Sequence, residues 1–237
     1  MLLRVVDFET TGPQGSEVIE VGLVDIEGSG REWIVHDPRT ILFRPNQPVP
    51  PGARAVHHIS DRELADAQPT DVTAIEAFIR GGGAAEAYAA HHAEFERSFL
   101  GELGSASWIC TAKAARRAWP QAPGFSNQVL RYWLELDLDP LRGLPAHRAG
   151  PDAYVTAHIL VQLLQTETVS DLVAWTTQPE VVTFGRHQGK AWADVPTDYL
   201  LWIMRESHMD PSRLRTAKTE LERRGAFAAT KAVGAAQ

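Results

Sequence analysis

The first 45 residues alternate between apolar segments and polar turns in a pattern that is typical of β-strands. "LLRVVDFET" is a compact apolar segment, and "EVIEVGLVDIEG" alternates apolar with other side chains before a Gly-Ser-Gly turn. Two more strand-like segments, "REWIVHD" and "TILFRP", follow closely. Because strands joined by short turns usually pair with their neighbours, the pattern predicts an antiparallel meander at the N-terminus.

Helical spacing of apolar side chains dominates the middle of the chain. "DVTAIEAFIR" predicts a helix that ends at three glycines, and "EAYAAH" and "SWIC" predict strands that are each followed by a helix. "SNQVLRYWLEL" predicts a further helix, and "PDAYVTAHILVQLLQ" predicts a strong helix with Pro151 in its first turn. Strands followed by alternating strands and helices indicate an α/β fold with a mixed sheet.

The pattern weakens after this long helix and resumes as a second, smaller unit. "VVTFGRHQGKAW" has strand-like ends around a glycine-containing turn, and "PTDYLLWIMRES" is amphipathic. "DPSRLRTAKTELERRG" predicts a capped helix that ends at Gly225. We therefore expect four segments: a main domain over 1–166, a linker over 167–179, a small α+β domain over 180–225 and a flexible tail over 226–237.

Composition and charge limit the classes to which the protein can belong. The 237 residues are 44% hydrophobic and 22% charged, which is ordinary for a folded globular protein. The formal net charge is −7, so a polyanion would have to be held by a local site rather than by general attraction. The single cysteine excludes an intrachain disulfide, and no apolar segment is long enough to span a bilayer. We expect a cytoplasmic protein with no membrane partner.

Two carboxylates stand close together in the first predicted strand. Side chains two residues apart on a strand point to the same face, so Asp7 and Glu9 project together while Phe8 faces the core. Carboxylates this close repel each other unless a cation lies between them or one is protonated. A magnesium site is one interpretation, because Mg²⁺ prefers oxygen ligands, and a solvated strand edge is the other.

Three other polar residues fit a site of this kind. Asp152 falls in the first turn of the long helix, where the helix dipole favours an ionised carboxylate. His147 precedes it in a predicted loop, and imidazole is the side chain most often used as a general base near neutral pH. Glu96 should lie at the edge of the apolar face of "AEFERSFLGEL". Taken alone, each is more often an ordinary surface residue.

Three segments of the chain, "VVDFETTG", "AHHAEFERSFL" and "HRAGPDAYVTAHIL", resemble in order and spacing the three motifs of the DEDDh 3′→5′ exonucleases. The resemblance implies an RNase H-like fold with a mixed five-stranded sheet flanked by helices, followed here by the small C-terminal α+β unit. It also implies a phosphodiester hydrolase that uses two divalent cations, Mg²⁺ or Mn²⁺, and releases nucleoside 5′-monophosphates.

The matching motif positions imply a role for each polar residue. Asp7 would bind both metals, and Glu9 and Asp152 would complete the metal site on the side of the nucleophile. His147 would deprotonate the attacking water. Two metals about 3.5–4 Å apart would stabilise both the attacking and the leaving oxygen.

Two residues depart from the family pattern. Glu96 stands where the family usually has an aspartate that supports the second metal, and His92 stands where it generally has asparagine. Because Mg²⁺ requires near-ideal octahedral geometry, the longer Glu96 would weaken the second site, shift it toward Mn²⁺, or replace a bridging water by a direct bond. We expect an active enzyme; a nucleic-acid-binding module that has lost catalysis is the alternative.

The loop after the first motif supplies candidate contacts with nucleic acid. As the resemblance implies, Thr10, Thr11 and Gly12 would hydrogen-bond to the terminal nucleotide. We hypothesise that Pro13 and Gln14 pack against or wedge beside the last base pair, although an ordinary turn is the simpler interpretation.

A later helix carries the best basic patch, with Lys113, Arg116 and Arg117 at helical i, i+3, i+4 spacing. Binding to phosphates and a solvated helix face are equally consistent with this pattern. The large aromatic residues of the small unit could stack on bases, but formation of its core is favoured; they are Trp192, Tyr199 and Trp202.

These observations together predict a metal-dependent enzyme that degrades DNA from single-stranded or duplex 3′ ends, in DNA repair or 3′-end processing. An RNA-trimming enzyme is the alternative, because the catalytic motifs are shared and the choice of sugar depends on contacts to the 2′-OH that the sequence does not show. The sequence predicts no oligomeric state.

Overall fold

The structure is a computed structural model of the chain, and it divides into two compact units. The residues that it describes are 1–13, 15–178, 181–182, 184–206, 209 and 211–225. We call the units the main unit, which comprises Met1–Ala115 and Ser126–Thr177, and the small unit, which comprises Arg116–Phe125 and Gln178–Gln237. None of the described helices combines the length and the apolar composition that a membrane crossing requires.

The main unit is built on a mixed sheet. Its strands among the described residues are β1 Leu2–Thr10, β2 Val18–Ser29, β3 Glu32–Val35, β4 Arg39–Arg44, β5 Gln68–Pro69, β6 Ala87–Ala90 and β7 Trp108–Cys110. The order is β5-β4-β2-β1-β6-β7, with β3 paired to the far end of β2. β1, β2 and β4 are antiparallel neighbours, whereas β6 and β7 run parallel to β1. The predicted mixed α/β fold is confirmed, and the two short strands β3 and β5 extend the expected five.

Helices cover both faces of this sheet. They are α1 Pro51–His57, α2 Val72–Arg80, α3 Ala93–Arg97, α4 Thr111–Ala118, α5 Asn127–Trp133, α6 Ala149–Leu163 and α7 Val169–Thr177. Phe8 faces a core cluster that includes Ile75 and Ile79 of α2, as the alternation along β1 predicts. The long helix α6 packs against β1 and β2.

Two glycines allow the first turn of α6 to pack closely on β2 and β4. A Cβ at Gly22 would lie 2.1 Å from the carbonyl carbon of Ala149, and one at Gly150 would lie 2.5 Å from Cγ2 of Thr40. Both distances are far shorter than van der Waals contact, so any side chain here would push the helix away. Gly22 pairs with Asp7 in the β1–β2 register. The contact therefore places the start of α6 beside Asp7.

The division into units differs in two places from the segments expected from the sequence. Within the expected linker 167–179, residues 169–177 form α7, a helix of the main unit with Leu172 and Thr176 buried. Thr176 Oγ1 accepts a hydrogen bond of 2.8 Å from the Cys110 backbone N–H, which ties α7 to β7. Residues 116–125 group with the small unit instead of the main one. The expected tail 226–237 lies outside the described residues.

The small unit is mostly helical in its described part. It contains α8 Thr197–Ile203, α9 Pro211–Arg223, the 3₁₀ turns Gly185–His187 and Trp192–Asp194, and an isolated bridge between Val181 and Ala191. The strand-like ends of "VVTFGRHQGKAW" thus form one bridge rather than a ladder. Trp192 and Tyr199 are buried in its core, as expected, whereas Trp202 is 42% exposed.

Candidate active site

Three carboxylates converge at the end of β1. Asp7 and Glu9 lie on one face of the strand, and Asp152 lies in the first turn of α6. One ligand oxygen from each of the three residues lies within 4.8 Å of the other two. The pairing of β1 with β2 shifts register directly after Glu9, and such irregularities are frequent next to active sites. The structure thus brings Asp152 together with two predicted site residues from the other end of the main unit's sequence.

The electrostatics of the cluster disfavour three negative charges. Burial raises the pKa of Asp7 well above its usual range, and the neighbouring Asp152, Glu96 and Glu9 raise it further. Burial, Asp152 and Glu20 raise the pKa of Glu9 to about 8. Like charges confined in a site of low polarity either take up protons or attract a cation. Protons or a cation would therefore stabilise the cluster.

Glu96 is a fourth carboxylate with the same electrostatic character. It lies in the first turn of α3 and is only 4% exposed. It is therefore buried, and does not lie at the edge of the apolar helix face as the sequence led us to expect. Burial raises its pKa to about 8, a hydrogen bond from its own backbone N–H lowers it, and Glu9 raises it. Within the described part of the chain, its buried Oε2 has no hydrogen-bond partner. A buried acceptor of this kind is costly unless a ligand satisfies it.

This donor set fits a divalent cation. Carboxylate oxygens are the preferred ligands of Mg²⁺ and Mn²⁺. A cation between Asp7, Glu9 and Asp152 would relieve the repulsion within that group, and a cation at Glu96 would satisfy its Oε2. Without a cation, burial raises the pKa values of these carboxyl groups. A bound metal would lower them again, because it binds the deprotonated form.

The loop that carries His147 is anchored to Asp152. The His147 backbone N–H donates a hydrogen bond of 2.9 Å to Asp152 Oδ2, while Gln128 Nε2 donates one of 3.3 Å to Oδ1. Burial raises the pKa of Asp152, and these two hydrogen bonds lower it. His147 has a positive φ of 61°, an uncommon conformation for a residue with a side chain, and it is exposed. Asp152 thus fixes the backbone that presents the imidazole.

The buried Glu20 and the partly exposed Arg148 form an ion pair beside the cluster that the sequence did not reveal. Glu20 pairs with Glu9 in the β1–β2 register and is 3% exposed. Arg148 binds it through Nε and Nη2 at 2.7–3.2 Å, and the Ala149 backbone N–H donates to Glu20 Oε2 at 2.8 Å. The pair therefore fixes the start of α6 to β2. Its only sequence signal is a charged residue inside the apolar segment "VIEVGLV".

His57 is a third residue near the cluster that the sequence did not reveal. It is 2% exposed at the end of α1, and its Nδ1 accepts a hydrogen bond of 3.0 Å from the Ile59 backbone N–H. Burial lowers its pKa, and the charges of Glu20 and Arg148 act on it in opposite directions. The environment therefore favours a neutral imidazole next to the ion pair.

The loop that follows Glu9 is held by its own hydroxyl groups. Thr10 Oγ1 donates a hydrogen bond of 2.5 Å to the Gly12 carbonyl, and Thr11 Oγ1 accepts one of 3.0 Å from the Glu17 backbone N–H. Pro13 is exposed, and Gln14 lies outside the described residues. These bonds give the loop a defined shape next to the carboxylates.

The predicted basic patch is engaged in interactions within each unit. Lys113, in the main unit, pairs with Glu94 at 2.8 Å and donates to the Thr176 carbonyl at 3.2 Å. In the small unit, the Arg116 guanidinium lies 5.5 Å from the centre of the Phe125 ring, and Arg117 donates a hydrogen bond to Gln178 Oε1. Their helical spacing alone did not indicate these partners.

Comparison with known proteins identifies the class. The exonuclease family matches residues 5–160, a span that contains all four carboxylates and His147. The chain therefore belongs to the exonuclease family. It is 36% identical over 231 residues to exodeoxyribonuclease 10 of Escherichia coli strain K12, with 93% of this chain and 99% of the relative covered.

Solved structures agree with this assignment. Exonuclease X in complex with 5′-overhanging duplex DNA superimposes with a TM-score of 0.61 at 35% identity, covering 73% of this chain and 99% of that one. A 3′-exonuclease that recognises the 3′ end of a histone mRNA stem-loop has a TM-score of 0.53 at 18% identity and covers 69% of this chain and 63% of its own. The latter likeness concerns the fold alone.

Proposed function

We propose that the protein is a 3′→5′ exonuclease that removes nucleoside 5′-monophosphates from DNA 3′ ends with the help of two divalent cations. The observation that carries this proposal is the convergence of Asp7, Glu9 and Asp152, with the buried Glu96 acting on the same carboxylates. In a chain of the exonuclease family, this excess of negative charge is best explained as a metal site.

The four carboxylates would divide the metal ligands between them. Asp7 interacts electrostatically with the other three, which suits a ligand shared by both cations. Glu9 and Asp152 would complete one site, and Glu96 the other. Bound Mg²⁺ or Mn²⁺ would supply a water of lowered pKa and charge stabilisation for the scissile phosphate.

His147 would accept the proton of the attacking water. Its exposed side chain lies on a loop whose backbone is hydrogen-bonded to a proposed metal ligand, so the base and the metal site would be fixed to each other. A general base must lie within hydrogen-bond reach of the proton that it removes. The Glu20–Arg148 pair would maintain this arrangement, because Arg148 follows His147 directly.

The substrate is proposed to be DNA. The similar proteins at 35–36% identity are named for deoxyribonuclease activity or solved with duplex DNA. The loop Thr10–Gly12 would contact the terminal nucleotide, and Pro13 and Gln14 would lie beside the last base pair. Lys113, Arg116 and Arg117 would contribute positive charge near the strand by exchanging some of their present partners for phosphates.

The test is cleavage of oligonucleotides labelled at one end. DNA and RNA strands of the same sequence are incubated with Mg²⁺, Mn²⁺ or chelator, and the products are sized. We expect mononucleotides released from the 3′ end of DNA, only with metal. Asp171→Asn, which removes an exposed carboxylate from α7, is the matched control for Asp7→Asn and should cleave like the wild type.

The outcomes separate the alternatives. Cleavage of RNA alone would replace DNA by RNA as the substrate. Binding without cleavage in any metal would replace the enzyme by a nucleic-acid-binding module. Cleavage in the presence of chelator would contradict the proposed metal dependence.

A further inference from the structure

The two units carry net charges of opposite sign. Of the 23 Lys and Arg residues and 30 Asp and Glu residues, 11 basic and seven acidic ones belong to residues 116–125 and 178–237. The small unit therefore has a formal charge of +4, whereas the main unit has −11. Nucleic acid is a polyanion whose binding depends on neutralised phosphates. The small unit is thus the part of the chain whose charge attracts a strand.

An aromatic platform lies on the surface of this unit. Trp202 and Tyr199 of α8 stack with ring centres 5.0 Å apart and ring planes 26° apart. Tyr199 is buried, whereas Trp202 is the large apolar side chain that the described part of the small unit exposes. The buried Tyr199 ring thus packs against an indole that remains 42% exposed. Exposed aromatic faces of this kind are the surfaces on which unpaired bases stack.

Two arginines lie near the platform, Arg186 beside the Tyr199 ring and Arg205 one turn after Trp202 in the chain. The Arg186 guanidinium lies 5.0 Å from the centre of the Tyr199 ring, and Arg186 itself is exposed. The Arg205 backbone N–H donates to the Trp202 carbonyl, so Arg205 follows the indole by one turn, and its side chain is exposed. An aromatic surface with adjacent arginines matches both parts of a nucleotide, the base and the phosphate.

A cavity of about 360 Å³ in the same unit adds to this cationic surface. Arg116, Arg117 and Gln188 are among its lining residues. Gln188 directly follows the turn that carries Arg186. The volume falls in the range of small-ligand sites, and the two lining arginines carry positive charge.

We propose that the small unit binds single-stranded DNA, with Trp202 as the stacking surface for one base and Arg186 and Arg205 as contacts for the flanking phosphates. The proposal rests on the proposed function, because the ligand is the strand that the main unit degrades. Sequence-independent stacking suits an exonuclease, which must hold a strand of any sequence.

The test is the affinity of the full-length protein for fluorescently labelled oligothymidylate, measured by anisotropy in chelator so that the strand stays intact. Trp202→Leu keeps an apolar group on Tyr199 but removes the stacking surface, and we expect about tenfold weaker binding. Trp202→Phe keeps an aromatic face and should stay within about threefold of the wild type. Trp33→Leu, at a partly exposed tryptophan on β3 of the main unit, is the matched control and should bind like the wild type.

Salt dependence gives a second, independent readout. Each phosphate contact on single-stranded nucleic acid adds about 0.7 to the slope of log affinity against log salt, so Arg205→Gln should lower that slope by about 0.7. Wild-type affinity in a folded Trp202→Leu protein, or an unchanged salt slope in Arg205→Gln, would overturn the proposal. Failure of the proposed function is a different result: the wild-type protein would cleave no strand, whatever its affinity for DNA in chelator.

Discussion

Glu96 in the main unit and Glu220 in the small unit are both nearly buried carboxylates, exposed by 4% and 8%, yet their pKa values move in opposite directions. Burial raises the pKa of Glu96 to about 8. Hydrogen bonds from Arg223 and Arg224 lower the pKa of Glu220 to about 2, against the opposing effect of burial.

The difference between the two carboxylates lies in whether a neighbouring arginine supplies positive charge. Arg224 donates to Glu220 at 2.7 Å and also to the Val195, Trp192 and Ala193 carbonyls, so this carboxylate serves to hold the small unit together. In the main unit, Arg148 is committed to Glu20, and the largest effects on Asp7 are burial and other carboxylates. The buried carboxylate with its own arginines is held within the fold, whereas Glu96, without one, fits the proposed role of metal ligand.

Asp7→Asn should have the largest effect, because it removes the proposed shared ligand without changing the size of the side chain. We expect the rate of DNA cleavage to fall by at least about a thousandfold, since metal ions supply several kcal/mol of transition-state stabilisation. Thermal melting in chelator should rise at the same time, because the folded protein no longer buries an ionisable carboxyl among other carboxylates. A variant that cleaves at the wild-type rate would refute the role of Asp7.

The cation-free protein should lose stability as the pH rises, and added metal should restore that stability. Glu9 and Glu96 have pKa values of about 8 in the cation-free folded protein and lower, ordinary values when unfolded. Between roughly pH 4.5 and 8 the folded state then binds more protons, so its free energy of unfolding falls as the pH rises. Divalent metal binds the deprotonated carboxylates and should restore the melting temperature at pH 8. Melting curves at several pH values, with chelator or Mn²⁺, measure both effects; a flat profile in chelator would contradict them.

Glu220→Gln tests whether the carboxylate paired with arginines stabilises the small unit. The substitution keeps the size of the side chain but leaves two guanidinium groups without their carboxylate, and we expect a loss of about 1–2 kcal/mol in the free energy of unfolding. The variant should also lose one source of acid sensitivity. In the wild type, the low pKa of Glu220 stabilises the fold above the ordinary pKa of a glutamate, and this stabilisation is lost as the pH falls toward 2. Cleavage by folded protein should be unaffected. Denaturant unfolding and initial rates are the measurements, and an unchanged unfolding midpoint would contradict this structural role.

Glu96→Asp should have the smallest effect. The shorter side chain keeps the negative charge and the oxygen ligands, so we expect cleavage within about tenfold of the wild type, with a changed ratio of rates in Mg²⁺ and Mn²⁺. The measurement is the cleavage rate in each metal. Glu96→Gln, which keeps the length of the side chain but removes its charge, separates the effect of charge from the effect of length. Loss of cleavage in Glu96→Asp would show that the length of this side chain is essential.

The sequence predicted those parts of the site that depend on local periodicity. Spacing by two placed Asp7 and Glu9 on one face of a strand, and proximity to a helix start placed Asp152 in its first turn. The burial of Glu96 could not be predicted in this way, because α3 ends after five residues and the helical periodicity is too short to define a face. The Glu20–Arg148 pair joins residues on different elements, and no local pattern relates them.

The close contact of Gly22 with Ala149 has a consequence for the biosynthesis of the protein. Strands β1 and β2 are made first, but Asp152 and His147 are supplied by a part of the chain that is made much later. A nascent chain that ends before His147 holds Asp7 and Glu9 and still lacks two residues of the proposed site. Nuclease chemistry would therefore begin only when the helix has docked on the glycine of β2, so that synthesis of the main unit is almost finished before the chain becomes able to cut nucleic acid.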